Sequence, residues 1–500
     1  MNAHTGQNRA MQNDHTVQVG DWVAVGRTFV QVSQEMAATM QPGDQMLAVS
    51  TTGQLCRIPA HVAVLVSEAV ETAQRSFVEL SQVSDAQITT FFETAAQLLA
   101  DDSIFSRIVA ANASDVSDAI KRGRSTTRLE LSEPMRRDMI DSFRMWRDME
   151  PSRDKRLSEI IHDGWTVEER TAPLGVLGFV FEGRPNVFAD ATGVLRSGNT
   201  VVFRIGSDAL GTARQLMSLV VAPALQESRL PVGAVVLIDS PEHAAGWALF
   251  SDNRLSLAVA RGSGEAVAQL GAIAQQSGVP VSLHGTGGAW MIVGDADASR
   301  LQAVIENSLD RKVCNTLNVV CVLRERAQEQ IPIVVRASLN AALKRDTLPV
   351  IHGVNEADSI LRKSFAHAGV PEFENSVVAA DMSSLGVEYE WENNPEFAVV
   401  LVESIEEATQ LFNTYSPQFI VSAVSQSSNE VKKVWELCNA PFVGDGFTRW
   451  VDGQFALLRP ELGLSNWQQG RLFARPGVLS GDSAYSVRLR VHQSSEDLHR

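Results

Sequence analysis

Apolar runs alternate with amphipathic stretches between residues 171 and 295, and this alternation constrains the fold more than any other feature of the sequence. The runs are rich in Val, Ile, Leu and Phe, as buried strands are, and include GVLGFVF, NTVVFRI, AVVLIDS, LSLAVAR, VPVSLHG and WMIVGD. Strands that alternate with helices predict a parallel sheet covered by helices on both faces. A second alternating stretch begins with VVCVL at 319–323 and predicts another sheet of the same kind.

The residues before position 171 have a different pattern of apolar and polar side chains. Residues 1–15 are polar and predict a disordered tail, whereas residues 17–59 contain short β-branched runs separated by GD, GR, PGD and TTG turns. This β-rich unit lacks the residue types that carry chemistry, so we expect it to serve packing or oligomerisation. Helices are predicted from about 61 to 160, where Ser84 and Gln87 have the spacing of a capping box.

Composition excludes several classes of function. The chain has 500 residues and a net charge of −16, which repels nucleic acid. Its polar start is unlike a secretory signal, and no apolar run is long enough to span a membrane, so a cytoplasmic location is predicted. Four cysteines without a CxxC pair indicate neither a disulfide framework nor a zinc site, and ten histidines without HxH or HExxH spacing predict no metal centre.

Two glycine clusters and one cysteine are the candidates for chemistry. No complete GxGxxG motif is present, but Gly262–Gly264 and Gly285–Gly288 each follow a strand-like run. The first cluster is compatible with a strand-to-helix turn whose amides bind a phosphate, or with a plain turn. Cys314 lies in RKVCNTLN, where the two preceding cations would lower the thiol pKa; a buried, inert cysteine is the alternative.

Together these blocks resemble one known family. Nine blocks occur in the same order as in the gamma-glutamyl phosphate reductases, also called glutamate-5-semialdehyde dehydrogenases. They are RTAPLGVLGFVFEGRPNV at 170–187, RSGNTVVFR at 196–204, PVGAVVLID, ARGSG, VPVSLHGTG, DAD, VCNT, and TRWVDGQF followed by PELGLS. These belong to the aldehyde dehydrogenase superfamily. The resemblance covers roughly residues 75–490 and implies an α/β fold with two Rossmann-like parallel-sheet domains and an oligomerisation flap, to which this chain adds its N-terminal β-rich segment.

The resemblance also implies a division into domains. We expect a tail at 1–15, a β-rich extension at 16–60, an NADP-binding domain at 61–283 that includes part of the C-terminal tail, a catalytic domain at 284–440, and a segment at 441–500 that closes the substrate pocket and forms the flap.

In this family a cysteine attacks an acyl phosphate, phosphate leaves, and NADPH reduces the thioester to an aldehyde; Cys314 stands at the matching position. The thiolate suits both steps because it is a strong nucleophile and a competent leaving group. The resemblance adds further catalytic candidates: Asn315 as an oxyanion donor, and Glu182 and Asn186. The substrate-binding candidates are Arg184, Arg449, Asp452, Glu461 and Ser465. Ion pairs, turns and caps are the alternative roles for these residues.

The predicted cofactor is NADPH. Superfamily members that use NAD often carry a glutamate just past the strand that here ends at Arg204, and Ser207 occupies that place. A 2′-phosphate is then accepted beside Arg204, although the neighbouring Asp208 opposes this. The cofactor-binding candidates are Arg204, Ser207, Arg261, Gly262, Ser263, Gly264 and Gly285.

Gly285 distinguishes the hypothesis of a reductase from that of an aldehyde-oxidising enzyme. Aldehyde-oxidising relatives carry a glutamate base in a Glu-Leu-Gly-Gly block, which reads GTGG here. Without that base, hydrolysis of a thioester is expected to be slow. Oxidation of a semialdehyde with NAD(P), or a non-catalytic scaffold that binds an amino-acid kinase partner, are the alternative functions.

Some positions depart from the family pattern. Asn318 replaces a glutamate after the nucleophile, and Leu457, Leu458 and Arg459 replace a glycine-rich segment. These changes predict a reshaped pocket for γ-glutamyl phosphate or a close analogue. The expected partners are this small molecule and a second copy of the chain in a homodimer or homotetramer, with no nucleic acid and no membrane.

Overall fold

The computed structural model describes most of the chain. The described residues are 17–124, 126, 128–262, 264–370, 373–451, 458, 460, 464–465, 467–468, 471–472, 478–479 and 481–496.

The N-terminal unit consists of two hairpins and a short helix. Its elements are β1 (Trp22–Val25), β2 (Thr28–Gln31), α1 (Gln34–Thr39), β3 (Gln45–Ala48) and β4 (Leu55–Ile58). β1 pairs with β2 and β3 with β4, both antiparallel. The second hairpin is tied to the helix that ends at Gln276, because the Gln276 side chain donates to the carbonyl of Ala48 (2.9 Å) and accepts from the amide of Ser50 (3.1 Å).

Four long helices follow: α2 (Ala60–Leu80), α3 (Asp85–Ala100), α4 (Asp102–Lys121) and α5 (Glu133–Asp148). Ser84 and Gln87 form the predicted capping box at the start of α3. The helices end earlier than the predicted boundary near 160, because β5 (Arg156–His162) and β6 (Trp165–Pro173) form an antiparallel hairpin there.

The first large sheet has five parallel strands. They are β7 (Val176–Val180), β8 (Thr200–Arg204), β9 (Val235–Leu237), β10 (Leu257–Arg261) and β11 (Val281–His284). Their order in the sheet is β11-β10-β7-β8-β9. The intervening helices are α6 (Phe188–Gly193), α7 (Leu210–Leu216), α8 (Ala222–Ser228), α9 (Ala244–Phe250) and α10 (Gly264–Gln276).

The second large sheet has seven parallel strands. They are β12 (Ala289–Val293), β13 (Leu317–Leu323), β14 (Val350–Val354), β15 (Val377–Ala379), β16 (Glu396–Val402), β17 (Ile420–Val424) and β18 (Phe442–Gly444), in the order β15-β14-β16-β13-β12-β17-β18. Its helices are α11 (Ala298–Ser308), α12 (Ala327–Leu343), α13 (Ala357–His367), α14 (Ile405–Tyr415) and α15 (Ser428–Leu437). The predicted α/β class with two parallel sheets is confirmed.

The C-terminal part returns to β6, the strand that precedes the first large sheet. Short strands β19 (Leu464–Ser465), β20 (Trp467–Gln468), β21 (Arg471–Leu472) and β22 (Val478–Leu479) precede β23 (Tyr485–Gln493). β23 pairs antiparallel with β6, so β5, β6 and β23 form a three-stranded sheet, here called the flap. Apolar side chains on the flap are exposed: Leu157, Ile160, Ile161, Val487, Leu489 and Val491.

Asn199 fastens this returning segment to the first sheet. Its side-chain oxygen accepts from the amides of Leu174 (2.7 Å) and Gly175 (2.9 Å). Its side-chain nitrogen donates to the Ser197 hydroxyl (2.9 Å) and to the carbonyl of Ala484 (2.7 Å). The residue is fully buried, so these bonds satisfy a polar group that would otherwise be costly inside the core.

We expect Asn199→Ala to lower the free energy of unfolding by about 3 kcal/mol, because several buried backbone groups lose their partner. Urea denaturation followed by circular dichroism measures the change. Asn307→Ala is the matched control, since the Asn307 side chain makes an exposed bond within its own helix. Equal stability of the two variants would contradict the role given to Asn199.

Candidate active site

Cys314 lies in the loop between α11 and β13, half-buried beside the second sheet. Thr316 shapes this loop: its hydroxyl donates to the carbonyl of Arg311 (2.6 Å) and accepts from the amide of Val313 (2.9 Å). On its apolar side Cys314 packs against the cluster of Ala289, Phe419, Ile420, Phe442 and Val451. The loop therefore holds the thiol in one place at the edge of the core.

The GTGG segment packs directly against the cysteine. The amide of Gly288 donates to the carbonyl of Cys314 (2.8 Å). A Cβ atom at Gly287 would lie 2.6 Å from Cys314 Cα, which leaves no room for a side chain. At Gly285, a Cβ atom would lie 2.9 Å from the Cα of Gly264 at the start of α10. The glycines thus allow the segment that links β11 to β12 to pack closely against both the start of α10 and the cysteine loop.

The thiol is not activated in the way the sequence predicted. Arg311 is exposed, and Lys312 binds the carboxylate of Glu388 at 2.6 Å. Burial raises the pKa of Cys314, and the charge of Glu388 raises it further. Three other cations act in the opposite direction and lower the pKa: Arg261, Arg184 and Arg449. The expected lowering of the thiol pKa by its sequence neighbours was therefore wrong.

These three arginines come from distant parts of the chain. Arg184 follows β7, Arg261 ends β10, and Arg449 follows β18. Arg449 is largely buried and binds the carboxylate of Asp310 at 2.6 Å. Arg261 forms an ion pair with the buried Asp190. The three guanidinium groups favour the negatively charged form of Cys314, and such groups are suited to bind an anionic substrate group.

Asn315 connects the cysteine loop to the segment after β18. Its Nδ2 donates to the carbonyl of Val451 (2.5 Å), its Oδ1 accepts from Arg449, and its own carbonyl accepts from the Thr448 hydroxyl (2.7 Å). The buried side chain thus anchors residues 448–451 beside the site. Its role as an oxyanion donor remains a prediction.

Glu182, Arg184 and Asn186 lie at the carboxyl end of β7. The Arg184 guanidinium donates twice to one oxygen of Glu182, at 2.8 and 2.6 Å, which is the ion pair named above as the alternative. Glu182 also borders Gly262, because a Cβ atom there would lie 3.5 Å from Glu182 Cγ. Asn186 is exposed. The segment therefore faces the loop after β10, which carries the cofactor candidates.

Arg204 is a buried cation at the end of β8. Its Nη2 is 3.4 Å from the carbonyl of Pro241, its Nε has no hydrogen-bond partner, and no carboxylate among the described residues forms an ion pair with it. Burial lowers its pKa. Ser207 begins the following turn.

Asp208, which opposed the NADPH prediction, is already paired. It lies 3.1 Å from Arg122 and 2.6 Å from Arg124, two cations just after α4. His243 is close to the same region: burial lowers its pKa, and Arg204 and Arg124 lower it further. The cations around Asp208 thus compensate its charge.

Several predicted residues cannot be placed in this geometry. Ser263, Asp452, Glu461, Leu457 and Arg459 lie outside the described residues. Ser465 is described only as part of β19, opposite Val478. Leu458 is exposed.

Two further residues at the site, His284 and Glu388, were not predicted from the sequence. His284 ends β11 immediately before Gly285, and its ring packs edge-on against Phe419 with centroids 4.9 Å apart. Burial, followed by Arg261 and Arg184, lowers its pKa to about 3, so the ring is neutral at physiological pH. Its position next to the GTGG block was a usable signal. Glu388 had none, because it is remote from the cysteine in the sequence.

Glu388 also borders a cavity of about 220 Å³. The other lining residues are Thr286, Gly287, Asn318, Leu385, Gly386, Val387, Tyr415, Ser416 and Pro417. Within the described part of the chain, no group of three or more His, Cys, Asp or Glu side chains is arranged to hold a metal ion. The described helices likewise include none with the length and apolar character needed to cross a bilayer.

Comparisons with known proteins agree with this architecture. The aldehyde dehydrogenase family pattern matches residues 44–347, more than half of the chain. The gamma-glutamyl phosphate reductase of Limosilactobacillus reuteri (strain DSM 20016) is 28% identical over 377 residues, covering 73% of this chain and 85% of that protein. The enzyme of the same name from Nitrobacter winogradskyi is 32% identical over 295 residues, covering 57% of this chain and 67% of the relative.

The crystal structure of gamma-glutamyl phosphate reductase from Thermotoga maritima has the same fold. It superposes with a TM-score of 0.74 at 22% identity and covers 87% of this chain and 99% of that chain. With the sequence matches, this confirms the predicted resemblance. The chain belongs to the gamma-glutamyl phosphate reductase family within the aldehyde dehydrogenase superfamily.

Proposed function

We propose that this protein reduces an acyl phosphate, γ-glutamyl phosphate or a close analogue, to a semialdehyde with NADPH, through a thioester on Cys314. The observation that carries the proposal is a half-buried cysteine in this family's fold: Arg449 binds the adjacent Asn315, and the charges of Arg261, Arg184 and Arg449 oppose the effect of burial on the pKa of the Cys314 thiol. An acyl phosphate brings a strongly negative group to the carbon that the thiol attacks. Guanidinium groups are well suited to bind it.

The chemistry follows from these groups. The Cys314 thiol loses its proton, its sulfur attacks the acyl carbon, and the bond from that carbon to the phosphate oxygen breaks as phosphate leaves. The arginines favour the thiolate and the departing phosphate alike, because both are negative. NADPH, when bound, supplies the hydride that reduces the thioester carbonyl. Collapse of the reduced adduct breaks the carbon–sulfur bond, and the aldehyde leaves with Cys314 regenerated.

The position of Gly285 favours this reaction over oxidation with water. The backbone there is packed against Gly264, so the place where oxidising relatives carry a glutamate base has no space for one. Glu388 is the carboxylate whose charge acts on Cys314, and both of its oxygens are already engaged, one by Lys312 and the other by the amide of Gly287. A thioester formed here is therefore protected from hydrolysis.

The residues at the end of β8 fit NADPH. Arg204 is buried with an unpartnered Nε, which is a costly state that an anionic ligand would relieve. Because Arg122 and Arg124 neutralise Asp208, that carboxylate does not repel a 2′-phosphate. These residues would hold the adenosine end of the cofactor, at the carboxyl edge of the parallel sheet where such ligands bind.

The flap supports assembly with further copies of the chain. Its exposed apolar side chains form a surface that association would bury. A homodimer or homotetramer is accordingly part of the proposal.

We expect Cys314→Ala to abolish turnover. Purified protein is incubated with the cyclic form of glutamate 5-semialdehyde, phosphate and NADP⁺, and NADPH formation is followed at 340 nm. The wild type should form NADPH continuously only when phosphate is present, because phosphate accepts the acyl group in the reverse reaction and frees Cys314 for another turnover. Cys321→Ala is the control and should remain active, since Cys321 is buried in β13. Equal rates with and without phosphate would instead indicate hydrolytic oxidation.

Thiol alkylation separates an enzyme from a scaffold. Iodoacetamide should label Cys314 before Cys321 and Cys438, because Cys314 is only half-buried and, of the three thiols, it alone has nearby cations among the described residues that oppose the rise in pKa caused by burial. The rate at Cys314 should increase from neutral to alkaline pH, since burial raises its pKa and leaves mainly the thiol at neutral pH. Peptide mass spectrometry measures both. Equally slow labelling of all three would favour a non-catalytic scaffold.

The cofactor proposal predicts a selective effect at Asp208. The double variant Arg122→Gln/Arg124→Gln should raise the KM for NADPH about tenfold and leave the KM for NADH within about twofold, because an unpaired Asp208 repels only the extra phosphate. Lys121→Gln is the matched control, since Lys121 is an exposed neighbour paired with Asp118. A parallel rise in both KM values would refute this account of specificity.

A further inference from the structure

Lys312 and Glu388 form a largely buried ion pair beside the nucleophile. Lys312 Nζ lies 2.6 Å from Glu388 Oε1, and the two side chains are only 5% and 18% exposed. Lys312 is two residues before Cys314, whereas Glu388 belongs to the loop between β15 and β16. An ion pair so well shielded from water needs good geometry to offset its desolvation. This pair lies where the cysteine loop and the loop of Glu388 meet.

The second carboxylate oxygen of Glu388 reaches the GTGG segment. The amide of Gly287 donates to Glu388 Oε2 at 2.6 Å. Gly287 is packed between Cys314 and Glu388, because a Cβ atom there would lie 2.6 Å from Cys314 Cα and 2.7 Å from Glu388 Oε1. One carboxylate therefore binds the cysteine loop through Lys312 and the glycine loop through an amide.

The loop that carries Glu388 is itself fixed from the second sheet. The buried Asn318 side chain donates to the carbonyl of Val387 (2.8 Å) and accepts from the amide of Tyr389 (3.0 Å). These are the residues on either side of Glu388. Asn318 lies in β13, the strand that follows the cysteine loop. The same strand therefore supports both the Glu388 carboxylate and Cys314.

We propose that Glu388, held by Lys312, is a positioning residue for Cys314: it locks the Gly287 peptide against the cysteine and so directs the sulfur toward the acyl carbon. The inference rests on the proposed function of Cys314 as the nucleophile. Small displacements of a reacting atom are costly, so loss of the lock should reduce the rate of the chemical step more than it weakens substrate binding.

The charges around the Cys314 thiol provide a second measurement, the pH dependence of alkylation, which a purely structural role of Glu388 would not change. The charged groups that act on Cys314 are Arg261, Arg184, Glu388 and Arg449. Glu388 is the negative member of this set. Its neutralisation should favour the thiolate, so that alkylation of Cys314 begins at lower pH.

The test compares four variants of the full chain: Glu388→Gln, Glu388→Asp, Lys312→Gln and the double variant Glu388→Gln/Lys312→Gln. Glu390→Gln is the matched control, because Glu390 lies 3.7 Å from the same Lys312 but is 69% exposed. For each protein, kcat and KM are measured in the phosphate-dependent assay. The pH midpoint of Cys314 alkylation by iodoacetamide is measured without substrate.

We expect Glu388→Gln to lower kcat about tenfold with little change in KM, and to move the alkylation midpoint to lower pH. Glu388→Asp keeps the charge but shortens the reach to Gly287, so it should lower kcat and keep the midpoint. The double variant should lose less kcat than the product of the two single losses, because the singles remove one shared interaction. Glu390→Gln should behave as wild type.

The proposal is wrong if Glu388→Gln keeps the wild-type midpoint, or if its kcat falls no further than that of Glu390→Gln. Should Glu388→Gln fail to fold, as judged by circular dichroism, a wild-type kcat in Glu388→Asp would overturn the proposal equally. Failure of the proposed function looks different, since Cys314 would then resist alkylation in the wild type itself.

Discussion

The contact between the glycine loop and the peptide of Cys314 is the constraint on which the site depends. Gly287 lies so close to Cys314 Cα that any side chain would separate them, and the amide of Gly288 holds the Cys314 carbonyl. The glycine loop runs from β11 of the first sheet to β12 of the second, so this contact places the cysteine loop, which precedes β13, at the junction of the two sheets. Of the two sheets, the first contributes the carboxyl end of a strand, β11, and ligands of parallel sheets bind at such ends.

Electrostatics at the site reflect a balance between burial and nearby cations. Burial disfavours the thiolate of Cys314, while Arg184, Arg261 and Arg449 favour it. Each arginine also has a protein carboxylate partner: Glu182, Asp190 and Asp310, respectively. The electric field at the Cys314 sulfur is thus produced by ion pairs with fixed geometry. An anionic substrate can bind beside these ion pairs without extensive rearrangement of the site. The neutral His284 adds no charge to it.

Much of the fold could be predicted because it depends on local patterns. Buried strands such as Val176–Val180 and Thr200–Arg204 are uninterrupted apolar runs, and the Ser84 cap is a short-range signal. The position of Cys314 before a strand was also predictable. Its environment was not, because charge partners are decided by tertiary contacts. Lys312 seemed to be an activating neighbour, but it is paired with Glu388, 76 positions away in the sequence.

The central claim is that Cys314 forms a thioester that water does not hydrolyse. It is tested most directly by mixing the enzyme with glutamate 5-semialdehyde and NADP⁺ in the absence of phosphate, in a rapid-mixing experiment with peptide mass spectrometry of the quenched protein. We expect a burst of one NADPH per chain, an acyl adduct on the Cys314 peptide, and turnover that resumes when phosphate is added. Continuous NADPH formation without phosphate, or a burst with no adduct on that peptide, would contradict it.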